Sequence, residues 1–403
     1  MLKILYIADL DISKGGGQRR AYEVIRRIAE FNEVYIISYG SPPILKEMLK
    51  YVSLYARLPR FDRATITNTG SFLSSLGLYL KTIEKSITNL KPDIVVVTGE
   101  WMYPVNLALY IIKRNLQVPL AFVVHAAPIL YTITWDQSIL SKIIERIRHG
   151  GPLAIPTIPL LLQISRECLK QCAILYVGSG TKYYLKRIGI HDGIILHPPI
   201  GVDIDMIKKT LMHVNKDTDP TIVFMAARIT KEKGIHDFIN VLYMLKRKVS
   251  NIKAYIMGKF YYVDKDLVSK LSRLGVRYLG FVDGEEKYSV LARSWLMIYP
   301  SRYDSFPISV LESLACGTPV IAYDIPGIVL NYKYCRAVMT VKLGDSEELL
   351  HKALTIINNS DLLAQLRNDA IKFSLTYNWD RVAQAEYNAY LKVLNKHYGD
   401  IRR

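Results

Sequence analysis

The stretch LMIYPSRYDSFPISVLESLACGTPVIAY, residues 296–323, decides how this chain is read. Leu296 to Pro300 is a short apolar run of the length that suits a strand buried on both faces. Ser301 to Phe306 is a polar turn, and Pro307 opens a segment with helical spacing. Gly317 stands where a helix end favours a residue free to take left-handed dihedrals, and Val320 to Tyr323 is a second apolar run. Strand, helix and strand in that order make one crossover unit, so the two strands are expected to lie parallel.

The same alternation extends outward in both directions. Ile222 to Ala226, Ala254 to Gly258 and Tyr278 to Val282 precede the unit, and Val338 to Val341 follows it. An earlier series runs through Ile4 to Ala8, Val34 to Ser38, Ile94 to Thr98, Leu120 to His125, Ile174 to Gly178 and Ile194 to His197. Two such series in succession predict an α/β chain of two doubly wound domains. The text His197-Pro198-Pro199-Ile200-Gly201-Val202-Asp203 and the turn residues Asp217 to Pro220 punctuate the passage between them. The expected organisation is a first Rossmann-like domain over residues 1–200, a second over 201–378, and a helix over 379–403 packing back on the first.

A chain of 403 residues that is 50% hydrophobic and 22% charged has the composition of a globular protein of two or three domains. Its net charge of +17 is spread over both halves and favours a polyanionic partner: a nucleotide, a nucleic acid or an anionic membrane surface. No helix-turn-helix, zinc-finger or aromatic RNA-binding pattern supports the nucleic acid. The cysteines Cys168, Cys172, Cys316 and Cys335 are too few and too irregular for a disulfide framework, and nothing completes a zinc site around the first two, so a reducing compartment is expected. Residues 1–8 read as a first strand, without a cleavage site, and no apolar stretch reaches the length of a membrane span. The protein is therefore expected in the cytoplasm, free or peripheral on the inner face of the membrane.

Three segments carry candidate chemistry. Lys14-Gly15-Gly16-Gly17-Gln18 follows the first strand, and a helix expected to start near Gln18 would turn its free N–H groups toward an anion near Gly16 and Gly17. Arg20 stands where a dinucleotide fingerprint needs its third glycine, and no acidic residue ends the second strand. Arg228 and Lys233 follow the first strand of the second domain, at the edge where such sheets bind ligands, and a guanidinium fork with an ammonium suits a diphosphate. Lys231 and Glu232 between them are expected in water. In the opening stretch, Asp304 and Glu312 offer carboxylates to sugar hydroxyls, while Ser305, Phe306 and Ile308 lie at the start of a helix whose N–H groups favour phosphate.

This second half resembles the donor-binding domain of the retaining glycosyltransferases of family 4, which have the GT-B fold of two Rossmann-like domains facing a central cleft. The family's Arg-x-x-x-x-Lys-Gly is matched by Arg228 and Lys233-Gly234, its Gly-Phe-Val turn by Gly280-Phe281-Val282, and its acidic-x7-Glu motif by Asp304 and Glu312. Ala315 to Ile321 match its Ala-x-Gly-x-Pro-Val-Ile, and Pro199 to Asp203 its linker. The resemblance is strong after residue 195 and weak before 170. It implies that Arg228 and Lys233 bind the donor diphosphate, Glu312 the ribose, and Asp304 the transferred sugar. Family members usually carry Glu where Asp304 stands. His125 falls where the family often places a histidine facing that sugar.

The implied reaction is transfer with retention from a UDP-, GDP- or ADP-sugar to a glycan or lipid-linked acceptor, with no metal or further cofactor required. Acceptor recognition is expected in the first domain, where Arg19, Arg20, Arg26, Arg27, Lys142, Arg146 and Arg148 are candidates for contact with anionic lipid. A GT-B phosphorylase or a nucleotide-sugar epimerase fits the same motifs.

Overall fold

A computed structural model of the chain describes residues 1–11, 15–39, 45–58, 69–99, 118–126, 166–187, 189–261 and 265–401, with residues 108, 109, 111 and 163. Lys14, Lys142, Arg146 and Arg148 lie outside them. The chain divides into two compact units. The first comprises Met1–Ile12, Gly17–Pro199 and Val382–Arg403, and the second Ser13–Gly16 and Ile200–Arg381.

The first unit runs β1 (Lys3–Ala8), α1 (Gly16–Ile28), β2 (Glu33–Tyr39), α2 (Leu45–Met48), β3 (Ser53–Leu58), α3 (Thr69–Leu90), β4 (Ile94–Gly99), β5 (Leu120–Val124), β6 (Ala173–Tyr176), α4 (Ser179–Lys186) and β7 (Ile194–Ile195). Its strands form one parallel sheet in the order β3-β2-β1-β4-β5-β6-β7. Central strands are continuous apolar runs because helices cover both faces, and Ile4 to Ala8 of β1 are fully buried. In α1 the core face repeats at helical spacing through Ala21, Val24, Ile25 and Ile28. α1 begins at Gly16, two residues before the expected start. Residues 53–58 were not anticipated as a strand: β3 is an edge strand with Tyr55 and Arg57 in its exposed or half-buried row, so it lacks the apolar run that marks its neighbours.

The second unit continues with α5 (Ile204–His213), β8 (Thr221–Ile229), a 3-10 turn (Lys231–Lys233), α6 (Ile235–Lys248), β9 (Lys253–Phe260), α7 (Lys265–Arg273), β10 (Arg277–Tyr278), α8 (Gly284–Arg293), β11 (Leu296–Tyr299), α9 (Ile308–Ala315), β12 (Val320–Tyr323), α10 (Pro326–Val329), β13 (Val338–Val341), α11 (Ser346–Ile357) and α12 (Ser360–Ser374). Its sheet is also parallel, ordered β10-β9-β8-β11-β12-β13. The quoted stretch is the unit's β11–α9–β12 crossover, with every residue of both strands buried and Val310, Leu311 and Leu314 turned to the core. Helix starts follow ordinary capping: Asp203, Asp345 and Asn359 accept from the N–H groups of Met206, Glu348 and Leu362. β10 ends at Tyr278, not at Val282, because Gly280 takes a left-handed φ of 71° and turns Phe281 into the following loop.

The last helix, α13 (Trp379–Ile401), ends within the first unit. There Tyr6 donates to Tyr390, Tyr390 donates to Glu386, and Glu386 pairs with Arg20, whose Nε donates to Pro199 O at 2.6 Å. Arg20 is fully buried, so it does not belong among the residues expected to meet lipid. A carboxylate on α13 takes up the charge that solvent cannot reach.

Candidate functional site

In both sheets the strand order reverses between the first strand and the fourth, and ligands of such sheets bind beyond the C-terminal ends of the strands at that point. In the second unit these ends belong to β8 and β11. Arg228 lies near the end of β8 and is exposed. Gly234 follows at φ 78°, and a Cβ there would sit 1.9 Å from Pro300 O, so only glycine lets the loop after β8 rest on the end of β11. The Arg302 N–H donates to Glu232 O across the same seam at 2.9 Å.

That close approach brings two side chains onto one carboxylate oxygen. Lys233 Nζ donates to Asp304 Oδ2 at 2.6 Å, and Tyr299 OH donates to the same oxygen at 2.6 Å. Tyr299 is buried, and its hydroxyl is held well above the usual range by that burial and then by the Asp304 charge, so it stays a donor. The residues expected to serve phosphate and sugar separately are thus an ion pair. Tyr299 escaped notice because a tyrosine ending an apolar strand reads as core.

Glu312 lies in α9 and accepts from Lys287 Nζ at 2.7 Å, which also donates to Asp283 at 2.7 Å. Burial opposes the charge on Lys287, yet the carboxylates of Glu312 and Asp283 outweigh it and push its pKa up. Lys287 also escaped notice: in GEEKYSVLAR it looks like one more charge on a solvated helix. The start of α9 carries Ser305, Phe306 and Ile308. The Ser305 side chain is buried, and its hydroxyl has no hydrogen-bond partner among the described residues. Gly16, grouped with this unit, approaches Ile308 so closely that a Cβ would meet its Cδ1 at 2.6 Å. Phe281 is exposed, with the Lys259 ammonium 5.4 Å from its ring centre.

In the first unit, His125 follows β5 and is buried. Its Nε2 lies 3.0 Å from Thr98 Oγ1, and its Nδ1 has no hydrogen-bond partner among the described residues. A Cβ on Gly17 would lie 3.0 Å from that Nδ1, so a larger residue there would crowd the ring. Burial first, and then the Arg20 charge, hold the imidazole well below its usual pKa and neutral. Along α1, Arg19, Arg26 and Arg27 converge on the carboxylate of Glu23.

Residues 207–373 match the family model described as Glycosyl transferases group 1. The match lies within the second unit, which is thus similar to the glycosyl transferases group 1. It is 24% identical over 230 residues to N,N'-diacetylbacillosaminyl-diphospho-undecaprenol alpha-1,3-N-acetylgalactosaminyltransferase of Campylobacter jejuni, a match covering 55% of this chain and 60% of that protein. It is 24% identical over 340 residues to the alpha-monoglucosyldiacylglycerol synthase of Acholeplasma laidlawii, covering 80% of each. Among solved structures, Anabaena Alr3699/HepE in complex with UDP and glucose superposes with a TM-score of 0.71 at 15% identity, covering 97% of this chain and 100% of that one. At that identity the likeness shows the fold, which is GT-B: α/β, with two parallel-sheet Rossmann-like units. Within the matched residues Arg228 lies at the C-terminal end of β8, and the Lys233–Asp304 and Glu312–Lys287 pairs lie beyond strand ends or in helices that follow them. Among the described residues, no helix is long and apolar enough to cross a membrane.

Proposed function

We propose that this protein is a retaining glycosyltransferase that moves a sugar from a nucleoside diphosphate donor to a glycan, glycolipid or lipid-linked acceptor. The observation that carries this reading is the Lys233–Asp304–Tyr299 cluster at the β8–β11 switch point of a unit similar to the glycosyl transferases group 1. Arg228 and Lys233 neutralise the diphosphate, with the N–H groups of Ser305, Phe306 and Ile308 at the start of α9. Glu312, held by Lys287, accepts from the ribose hydroxyls, and Phe281 borders the nucleotide. Asp304 keeps Oδ1 for a hydroxyl of the sugar while Oδ2 is held from behind. Gly16 and Gly17 permit close approach of backbone to ligand, and His125 offers a neutral imidazole to a ligand hydroxyl.

In the reaction the bond from the anomeric carbon to the β-phosphate oxygen breaks and a bond to the acceptor oxygen forms on the same face. The acceptor proton passes to the leaving phosphate, and a nucleoside diphosphate departs. These cations and N–H groups meet the charge that grows on the leaving group, so the reading requires no metal. UDP, GDP and ADP are the candidate nucleotides, and the UDP bound by the Anabaena protein favours trying UDP first.

One relative named for a lipid-linked substrate and one named for a glycolipid product support an acceptor on a lipid, and the charge of +17 supports peripheral contact of a cytoplasmic protein with an anionic membrane. We propose residues 1–200 for the acceptor, 201–378 for the donor and 379–403 as the returning helix. The test is incubation with nucleotide sugars, with and without lipid acceptors, and with Lys233→Ala beside the unaltered protein. Acceptor-dependent release of nucleoside diphosphate, an α-linked product from an α-linked donor, and a loss of about 3 kcal/mol of transition-state stabilisation in the variant are expected. Conversion of the donor alone points to an epimerase, and full activity in the variant refutes the reading.

A further inference from the structure

The loop from Asp304 to Pro307 is held from behind by the segment that follows β12. Asn331 Nδ2 donates to Ser305 O at 2.8 Å and to Gly327 O at 2.8 Å. Tyr332 OH donates to Pro307 O at 2.7 Å, while its ring packs against Phe306 with centroids 5.3 Å apart. Phe373 and Tyr377 extend that aromatic cluster, and Tyr332 is itself buried. Gly327 closes the contact, since a Cβ on it would lie 2.1 Å from Asp304 O.

A trans peptide is planar, with its C=O and the following N–H antiparallel. Fixing Ser305 O on Asn331 therefore turns the Phe306 N–H the opposite way, and Pro307 O, which accepts from Tyr332 besides the Val310 and Leu311 N–H groups of α9, sets the Ile308 N–H in the same manner. The buried, unpartnered Ser305 hydroxyl lies on the same loop. We propose that Asn331 and Tyr332 are positioning residues that aim the Phe306 and Ile308 N–H groups at the terminal phosphate of a nucleoside diphosphate. The proposal rests on the donor reading above and goes beyond it, because neither side chain touches the ligand. Both act through carbonyls whose peptide planes carry the Phe306 and Ile308 N–H groups. A nucleoside monophosphate lacks the terminal phosphate and should not sense them.

The experiment is calorimetric titration of the full chain with UDP, GDP and ADP and with UMP, GMP and AMP, comparing the unaltered protein with Tyr332→Phe and Asn331→Ala. Tyr332→Phe keeps the ring and its stacking, and thermal melting confirms that each variant is folded. For whichever base the unaltered protein binds, the variants should lose about three- to tenfold in diphosphate affinity with little change for the monophosphate. A purely structural role would lower the melting temperature and leave that ratio alone. Binding by the unaltered protein with an unchanged ratio in folded Tyr332→Phe overturns the positioning role and leaves the donor reading standing. Absence of any nucleotide binding by the unaltered protein overturns both.

Discussion

In the proposed donor site Asp304 is the residue that meets both Lys233 and Tyr299. One of its oxygens is committed to Lys233 and Tyr299, so a diphosphate that draws on Lys233 must compete with a carboxylate for it. Tyr299 is the partner that stays. Tyr299→Phe should therefore raise KM for the sugar donor by about three- to tenfold while leaving affinity for the bare nucleoside diphosphate within a factor of about two. An equal loss for both ligands contradicts that division of labour. His125 gives a residue-scale prediction of a different kind. Its folded pKa is depressed by burial and Arg20, so below about pH 6.5 the unfolded chain takes up a proton that the folded one does not. Stability that depends on the neutral ring is present above that pH and is lost as the pH falls toward the depressed folded value. The His125 ring resonances followed by NMR should keep their neutral-form positions through about pH 6.5, and an ordinary midpoint there refutes the burial argument.

At the scale of elements, the site depends on loops brought closer than side chains allow. Gly234 rests on Pro300 O at a φ of 78°, so Gly234→Ala should cost about 2 kcal/mol or more in urea unfolding and detach Lys233 from Asp304. A neutral effect would mean that the seam between the β8 and β11 loops is slack. The buried strands were legible because a run covered on both faces leaves no polar alternation to confuse it. β3 was not, since an edge strand keeps exposed polar and charged positions. Arg228, Lys233, Asp304 and Glu312 were singled out by their places after strands and by the family resemblance, and the structure pairs Lys233 with Asp304. Lys287, Tyr299, Asn331 and Tyr332 were not: Lys287 meets Glu312 from another helix, and Asn331 meets Ser305 from beyond β12. Each is an ordinary residue for its element until the fold supplies its partner.

Over the whole molecule, the chain leaves its first unit at Pro199 and returns to it at Val382. Arg20 marks both passages, with Nε on Pro199 O and the guanidinium on Glu386 of α13. Both members of the pair are buried, so Glu386→Leu alone should cost about 3–5 kcal/mol by stranding the guanidinium, and Arg20→Met in the same chain should restore much of it. Additive losses in that double-mutant cycle would show the pair to be uncoupled. The central claim, that the second unit holds the nucleoside diphosphate of a sugar donor between Arg228, Lys233 and Glu312, is tested most directly by thermal unfolding in the presence of UDP, GDP, ADP and dTDP, with Lys233→Ala alongside. A ligand that binds only the folded state at about 100 times its Kd adds about 2.7 kcal/mol. One of these nucleotides should raise Tm in the unaltered protein and fail to do so in the variant. No shift with any of them, or the same shift in both proteins, contradicts the claim.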